Sequence, residues 1–132
     1  MKANEFLKKI FYVSFHGRNI DFRPWGFYVT LSSDRKTHNV KRVQVKPGKR
    51  LSLQRHKFRN EHWFIIQGKA NVTLGKKNLI VKEGQAVDIP SQTIHRIANI
   101  GKNELIFIEV QRGTYFGEDD IERFEDDYGR CN

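Results

Sequence analysis

Between Arg23 and about residue 110 the chain alternates apolar and polar positions in short runs broken by turn signals, the pattern of half-buried strands. "GFYVTLS" is rich in aromatic and β-branched residues, and "VKRVQVKPG" sets Val43 and Val45 on one face ahead of a Pro-Gly turn. "RLSLQRH", "EHWFIIQG", "ANVTLGKKNLIVKEG", "QAVDIPSQT" and "HRIANIGKNELIFIEVQRG" follow, with turns at "LGKKN", "PSQT" and "NIGKN". No helical segment intervenes, so the pattern predicts an all-β sandwich or barrel of antiparallel strands. Before it, Phe6, Leu7, Ile10 and Phe11 form a helical stripe that Asn4 can cap, which predicts a short helix or an extended arm over residues 4–15. After it, the acidic tail "GEDDIERFEDDYGR" reads as a helical turn anchored by Ile121 and Phe124. The expected organisation is an N-terminal arm, residues 1–22, and a barrel domain, residues 23–132, that includes the acidic tail.

A length of 132 residues fits one domain. Ten Phe, four Tyr and two Trp predict a tightly filled interior or an aromatic-lined cavity. The formal charge of +9 raises nucleic acid as a partner, but the basic residues are scattered and never run to five. A solvated basic surface, or a basic mouth that draws in small phosphorylated ligands, fits better than nucleic acid. The single cysteine, Cys131, has no partner for a disulfide or a zinc motif, which suits a reducing cytoplasm. The apolar stretches near the N-terminus are too short and interrupted for a signal peptide or a membrane span. The expected setting is therefore cytoplasmic.

"LQRHKFRNEHW", Leu53 to Trp63, concentrates candidate chemistry. If residues 50–56 are extended, Ser52, Gln54 and His56 share one face, because strand side chains alternate. Glu61, Trp63 and Ile65 share a face of the next strand, and a hairpin through "KFRN" can bring Gln54, His56 and Glu61 together. His95, just after "IPSQT", is the candidate fourth donor. One Gln, two His and one Glu suit a borderline divalent ion: zinc is favoured, with cobalt, nickel, iron or manganese also compatible. Spacing alone leaves a solvated turn open.

Two longer patterns add to this. Gly48, Gln54, His56, Glu61 and Gly68 are separated by five, one, four and six residues. Gly84, Pro90, His95 and Asn99 follow, with five, four and three residues between them. Together they resemble the two signatures of the cupin superfamily, with Gln54 in place of the first His and Gln92 where Gly is usual. The resemblance implies a small antiparallel jelly-roll barrel with an interior metal. Residues 23–130 are similar, more narrowly, to the C-terminal domain of type II phosphomannose isomerases, which usually follows a mannose-1-phosphate guanylyltransferase domain. That half is absent from this sequence, so the likeness implies isomerase activity rather than guanylyl transfer. It also implies Gln54, His56, Glu61 and His95 as the metal set and Arg59 as the motif arginine. Lys57 and Phe58 replace two of three consecutive family histidines, and Arg112 stands where a small residue is usual.

The reaction implied is interconversion of mannose 6-phosphate and fructose 6-phosphate through an enediolate. It needs stabilisation of developing charge on oxygen and a base that carries a proton from C2 to C1. Glu109, in phase with Phe107 and Gln111, is the candidate base. Arg59 is a candidate for holding the phosphate or the enediolate, with Lys57 and Arg112 as weaker phosphate candidates. His62 alternates out of phase with Glu61 and is expected on the outer face, Trp63 in the core, and His16 and His38 in exposed loops. The "EDD" of the tail is expected as a lid edge or a partner of the basic surface. The competing readings are a non-catalytic sugar-phosphate or nucleotide-sugar binding cupin that works with a separate guanylyltransferase, and an isomerase or epimerase for another sugar. Phe6, Phe11, Tyr12 and Phe15 on a basic arm suggest a homodimer.

Overall fold

The computed structural model describes residues 14–131, and among these it contains twelve strands and no helix. In chain order they are β1 (Ser14–Phe15), β2 (Arg18–Arg23), β3 (Gly26–Asp34), β4 (His38–Val45), β5 (Leu53–Arg55) and β6 (Arg59–Gln67). They continue with β7 (Lys69–Leu74), β8 (Lys77–Lys82), β9 (Ala86–Ile89), β10 (His95–Asn99), β11 (Leu105–Gly113) and β12 (Glu122–Glu125). Two antiparallel sheets form, ordered β1-β2-β3-β4-β11-β6-β9 and β12-β5-β10-β7-β8. The all-β expectation holds.

Alternation dictates the packing. β6 buries Glu61, Trp63 and Ile65 and turns the residues between them outward. β4 buries Asn39, Lys41, Val43 and Val45, and β11 buries Leu105, Phe107, Glu109 and Gln111. The second sheet answers with Ala70, Val72 and Ile97. Each large apolar side chain among them, such as Ile65, Leu105, Phe107 or Ile97, contributes about 1.5–3 kcal/mol on leaving water, which drives the two sheets face to face.

Register divides the interior into two halves. The row Val43–Phe107–Ile65 crosses β4, β11 and β6, and Val45 faces Leu105 beside it: this half is apolar. One step along the same face come Lys41–Glu109–Trp63 and then Asn39–Gln111–Glu61, so this half is polar. In the second sheet Arg123, Gln54 and His95 stand in one row across β12, β5 and β10. The polar half therefore receives functional groups from both sheets.

Two expectations change, and a third lies mostly outside the described residues. Most of the expected N-terminal helix or arm lies outside the described residues, and the boundary placed after residue 22 falls within β2, which pairs with β3. The acidic tail is not a helical turn: residues 122–125 form β12 against β5, because that sheet edge offers unpaired main-chain groups. Ile121 lines the interior cavity, whereas Phe124 is 40% exposed and lies under the Arg55 guanidinium. His38 opens β4 rather than lying in a loop, and its ring meets Ser32 Oγ at 2.7 Å. His16 is exposed, in a turn.

Gly113 positions the start of β6. A Cβ there would strike the Phe58 carbonyl and Arg59 Cα, so only glycine lets the end of β11 lie against the segment that carries Arg59.

Candidate metal centre

His56, Glu61 and His95 are all buried, and their ligand atoms lie within 4.8 Å of one another. Three different elements deliver them: the turn after β5, the inward face of β6, and the first residue of β10. Gln54 lines the same cavity, placed beside His95 by the β5–β10 pairing. Its amide N–H makes only a long 3.4 Å contact to the Ser52 carbonyl. The expected quartet is thus brought to one place.

The imidazoles are oriented for coordination. His56 Nδ1 lies 2.6 Å from the Asp120 carbonyl, and His95 Nδ1 lies 2.9 Å from the Thr93 carbonyl. A carbonyl oxygen only accepts, so each Nδ1 carries the proton and each Nε2 presents a lone pair to the cavity. With Nδ1–H held by a carbonyl in this way, Nε2 is the nitrogen able to bind a metal. Burial, then the Arg59 guanidinium, hold the His56 pKa down at about 4, and burial lowers that of His95 as well. His95 Nε2 is buried and has no hydrogen-bond partner, a cost that a cation would relieve. The donor set and this orphaned nitrogen fit a divalent ion.

Arg59 is buried rather than a solvated turn residue. Its Nε donates to Glu61 Oε2 at 3.0 Å and its Nη2 lies 3.3 Å from His56 Nε2. Its Nη1 is buried without a partner. Glu61 Oε1 accepts from Trp63 Nε1 at 3.1 Å, and the same indole N–H reaches Glu109 Oε1 at 3.0 Å. Gln111 Nε2 donates to Glu109 Oε2 at 2.8 Å, and Asn39 Nδ2 donates to Gln111 Oε1 at 3.1 Å. Glu109 is therefore held from both oxygens. Burial, then the charge of Glu61, push its pKa up to about 7, with Lys41 opposing.

Two expected phosphate contacts are not brought to this cavity. Arg112 is exposed, on the outward face of β11 near His62 and Asp88. Lys57 is exposed and lines a separate surface pocket with Phe58 and Tyr115. For Arg112 this follows from alternation, since it neighbours inward Gln111, whereas Lys57 lies in the turn between β5 and β6. His62 faces outward and pairs with Asp88 at 2.7 Å, and Trp63 is in the core. The cavity's cations are instead Arg23, Lys41, Arg59, Arg123 and Arg130.

Residues that sequence reasoning passed over carry much of the site. Lys41 is in phase with Val43 and Val45, a signal that could have placed it inside. Asp120 has no local signal. Its carboxylate accepts from the Lys57 and Phe58 amides at 2.9 and 3.0 Å, while its carbonyl holds His56.

The family described as "Mannose-6-phosphate isomerase C-terminal" matches residues 13–126. The chain belongs to this family. It is 50% identical over 109 residues to the alginate biosynthesis protein AlgA of Pseudomonas aeruginosa, covering 83% of this chain and 22% of AlgA. It is 43% identical over 109 residues to the mannose-1-phosphate guanylyltransferase ManC of Salmonella typhimurium, covering 83% of this chain and 22% of ManC. The chain thus spans about a fifth of the length of these curated relatives. Among solved structures, oxalate decarboxylase from Bacillus subtilis superposes with a TM-score of 0.72 at 22% identity, covering 84% of this chain and 31% of the other. The cupin domain of Schizosaccharomyces pombe Cnp3 superposes at 0.67 and 19% identity, covering 72% and 68%. These likenesses establish the fold as a cupin-like barrel. Among the described residues no helix is long and apolar enough to cross a membrane.

Proposed function

We propose that this chain is a metal-dependent mannose-6-phosphate isomerase that interconverts mannose 6-phosphate and fructose 6-phosphate. The observation that carries the reading is the convergence of two Nδ1-pinned imidazoles and a buried carboxylate on one cation-lined cavity. Family membership supports the substrate class.

Gln54, His56, Glu61 and His95 would hold the divalent ion, zinc by preference. Bound there, it would supply Lewis-acid stabilisation of the negative charge that develops on substrate oxygen. Glu109 takes the C2 proton and returns it to C1. Trp63 and Gln111 aim its two oxygens, and a pKa near neutrality suits a group that must both accept and release a proton. Arg59 offers the unpartnered Nη1 N–H to an oxyanion within a buried setting, where such a bond is strongest. The substrate is a phosphorylated sugar, the setting cytoplasmic and the assembly a homodimer.

The test is to strip the purified chain of metal, restore zinc, cobalt, nickel, iron or manganese singly, and follow fructose 6-phosphate formed from mannose 6-phosphate. Turnover with at least one ion, lost in His95→Ala and Glu109→Gln, supports the reading. Tight binding of mannose 6-phosphate without turnover under every ion would make the chain a sugar-phosphate binding module instead.

A further inference from the structure

Among the described residues Lys41 is the only buried lysine. Register aims it into the cavity beside Glu109, across the β4–β11 pair. Its Nζ stands 4.2 Å from the centre of the Tyr28 ring and 2.8 Å from Glu118 Oε1. Burial works against its charge, but the Glu109 and Glu118 carboxylates outweigh that and keep it protonated above the ordinary lysine range.

The two partners of this bridge differ in kind. The Lys41 side chain is 7% exposed; that of Glu118, between β11 and β12, is 63% exposed. An ion pair with one partner largely in water stabilises little, because water competes for it. Burial of the ammonium is offset by Glu109 as well as by Glu118. Of its two anions Glu118 is the exposed one, and so the one with room to move. An ammonium held inside a cavity, with a counter-ion that can turn outward, is built to change partners. The Tyr28 ring face would keep the ammonium in place during the exchange. Arg23 donates to Tyr28 Oη at 3.2 Å and so stands beside the same position as a second cation.

We propose that Lys41 binds the phosphate group of the sugar substrate, and that Glu118 is the internal anion which that phosphate displaces. The assignment rests on the isomerase reading for the identity of the sugar, and on the Lys41–Glu118–Tyr28 geometry for the anion site. No covalent step is involved: a dianion replaces a carboxylate on the ammonium, and the carboxylate turns to solvent.

The experiment measures KM and kcat for mannose 6-phosphate, and the inhibition constant of inorganic phosphate, on the metal-loaded full chain. Wild type is compared with Lys41→Met, Lys41→Arg and Glu118→Gln. Loss of a charge-assisted bond predicts that Lys41→Met raises KM and the phosphate constant by about 10- to 100-fold; kcat changes too, because Lys41 holds the Glu109 pKa down, so the phosphate constant is the deciding readout. Lys41→Arg recovers most of it. Glu118→Gln moves the other way and tightens phosphate several-fold, because the competing anion is gone. A merely structural bridge would make Lys41→Met and Glu118→Gln weaken binding alike, and that result overturns the assignment. So does an unchanged phosphate constant in Lys41→Met while wild type turns over. If Lys41→Met does not fold, the surface variant Glu118→Gln still decides the question by its sign. Wild type that neither binds nor isomerises mannose 6-phosphate overturns the isomerase reading, and this assignment with it.

Discussion

Replacing Asp120 with alanine removes one buried carboxylate that ties the tail to the metal-binding turn. Two main-chain donors lose their acceptor: Lys57 N at 2.9 Å and Phe58 N at 3.0 Å. A hydrogen bond to a charged group contributes about 1.5–3 kcal/mol, which would suggest up to about 6 kcal/mol for the pair. Lys57 and Phe58 are themselves exposed, however, so water can reach their amides in the variant. The expected loss is therefore nearer about 2–3 kcal/mol, well inside the ordinary stability of a domain, so the variant folds. The second effect is on the ligand. The Asp120 carbonyl survives the substitution but loses the anchor that holds it 2.6 Å from His56 Nδ1. Loosening an outer-shell partner of a metal-binding histidine costs about 10- to 100-fold in metal affinity. Asp120→Asn keeps one acceptor but turns an NH2 toward the other amide, so it should recover only part of both losses. Urea unfolding of the metal-free chain measures the first effect, and zinc titration calorimetry measures the second. An Asp120→Ala variant with the wild-type urea midpoint and wild-type zinc affinity would refute the tethering argument.

Removing bound metal and restoring it at 100 times its dissociation constant should stabilise the wild type by about 2.7 kcal/mol, and His95→Ala should abolish that gain in thermal melts. In the metal-free chain, His56, lowered from 6.5 to about 4, contributes stability that is full above pH 6.5 and is lost as pH falls toward 4, about 3 kcal/mol in all. Glu109, raised from 4.5 to about 7, has the opposite sign: its contribution is full below pH 4.5 and is lost as pH rises through 7. The melting temperature of Glu109→Gln relative to wild type should therefore climb between pH 4.5 and 7; a constant difference would contradict the buried, proton-favouring site. Gln92, at φ +65°, holds a left-handed conformation that costs an L-residue about 1–2 kcal/mol, so Gln92→Gly should raise the urea midpoint slightly.

How much of this was legible in the sequence depends on distance along the chain. The faces of β6 and β11 follow from period-two alternation, and with them the inward placement of Glu61, Trp63 and Glu109 and the outward placement of His62. The quartet of Gln54, His56, Glu61 and His95 was legible because its spacing matches two known signatures. Alternation also predicts that Arg112, next to buried Gln111, points away, but its charge had drawn it into the candidate phosphate set. Asp120 was not legible. It acts 64 residues away from His56 in sequence, through its main-chain carbonyl, and no composition or periodicity encodes that contact. The tail likewise looked helical from local spacing, and only the open edge of β5 makes it a strand.

The tail's charge explains why it docks where it does, but not what holds it. Residues 118–127 carry seven of the chain's fifteen acidic groups, in a protein of net charge +9. Glu122 meets Arg55 and Asp127 meets Arg50, each at 2.8 Å, yet all four side chains are more than a third exposed. Such pairs contribute about 0–1 kcal/mol each and weaken as salt screens them. The buried ties are different: the Asp120 carboxylate on two amides, and Arg96, which donates to the Leu51 carbonyl at 2.9 Å and the Glu125 carbonyl at 3.3 Å. If the exposed pairs held the tail, 1 M salt would unfold it and release metal. If the buried ties hold it, salt costs at most about 1–2 kcal/mol and leaves zinc affinity intact, while Asp120→Ala or Arg96→Ala costs more in either condition. Hydrogen exchange of the β12 amides at low and high salt separates the two, and protection lost in salt alone would show that the surface charges carry the attachment.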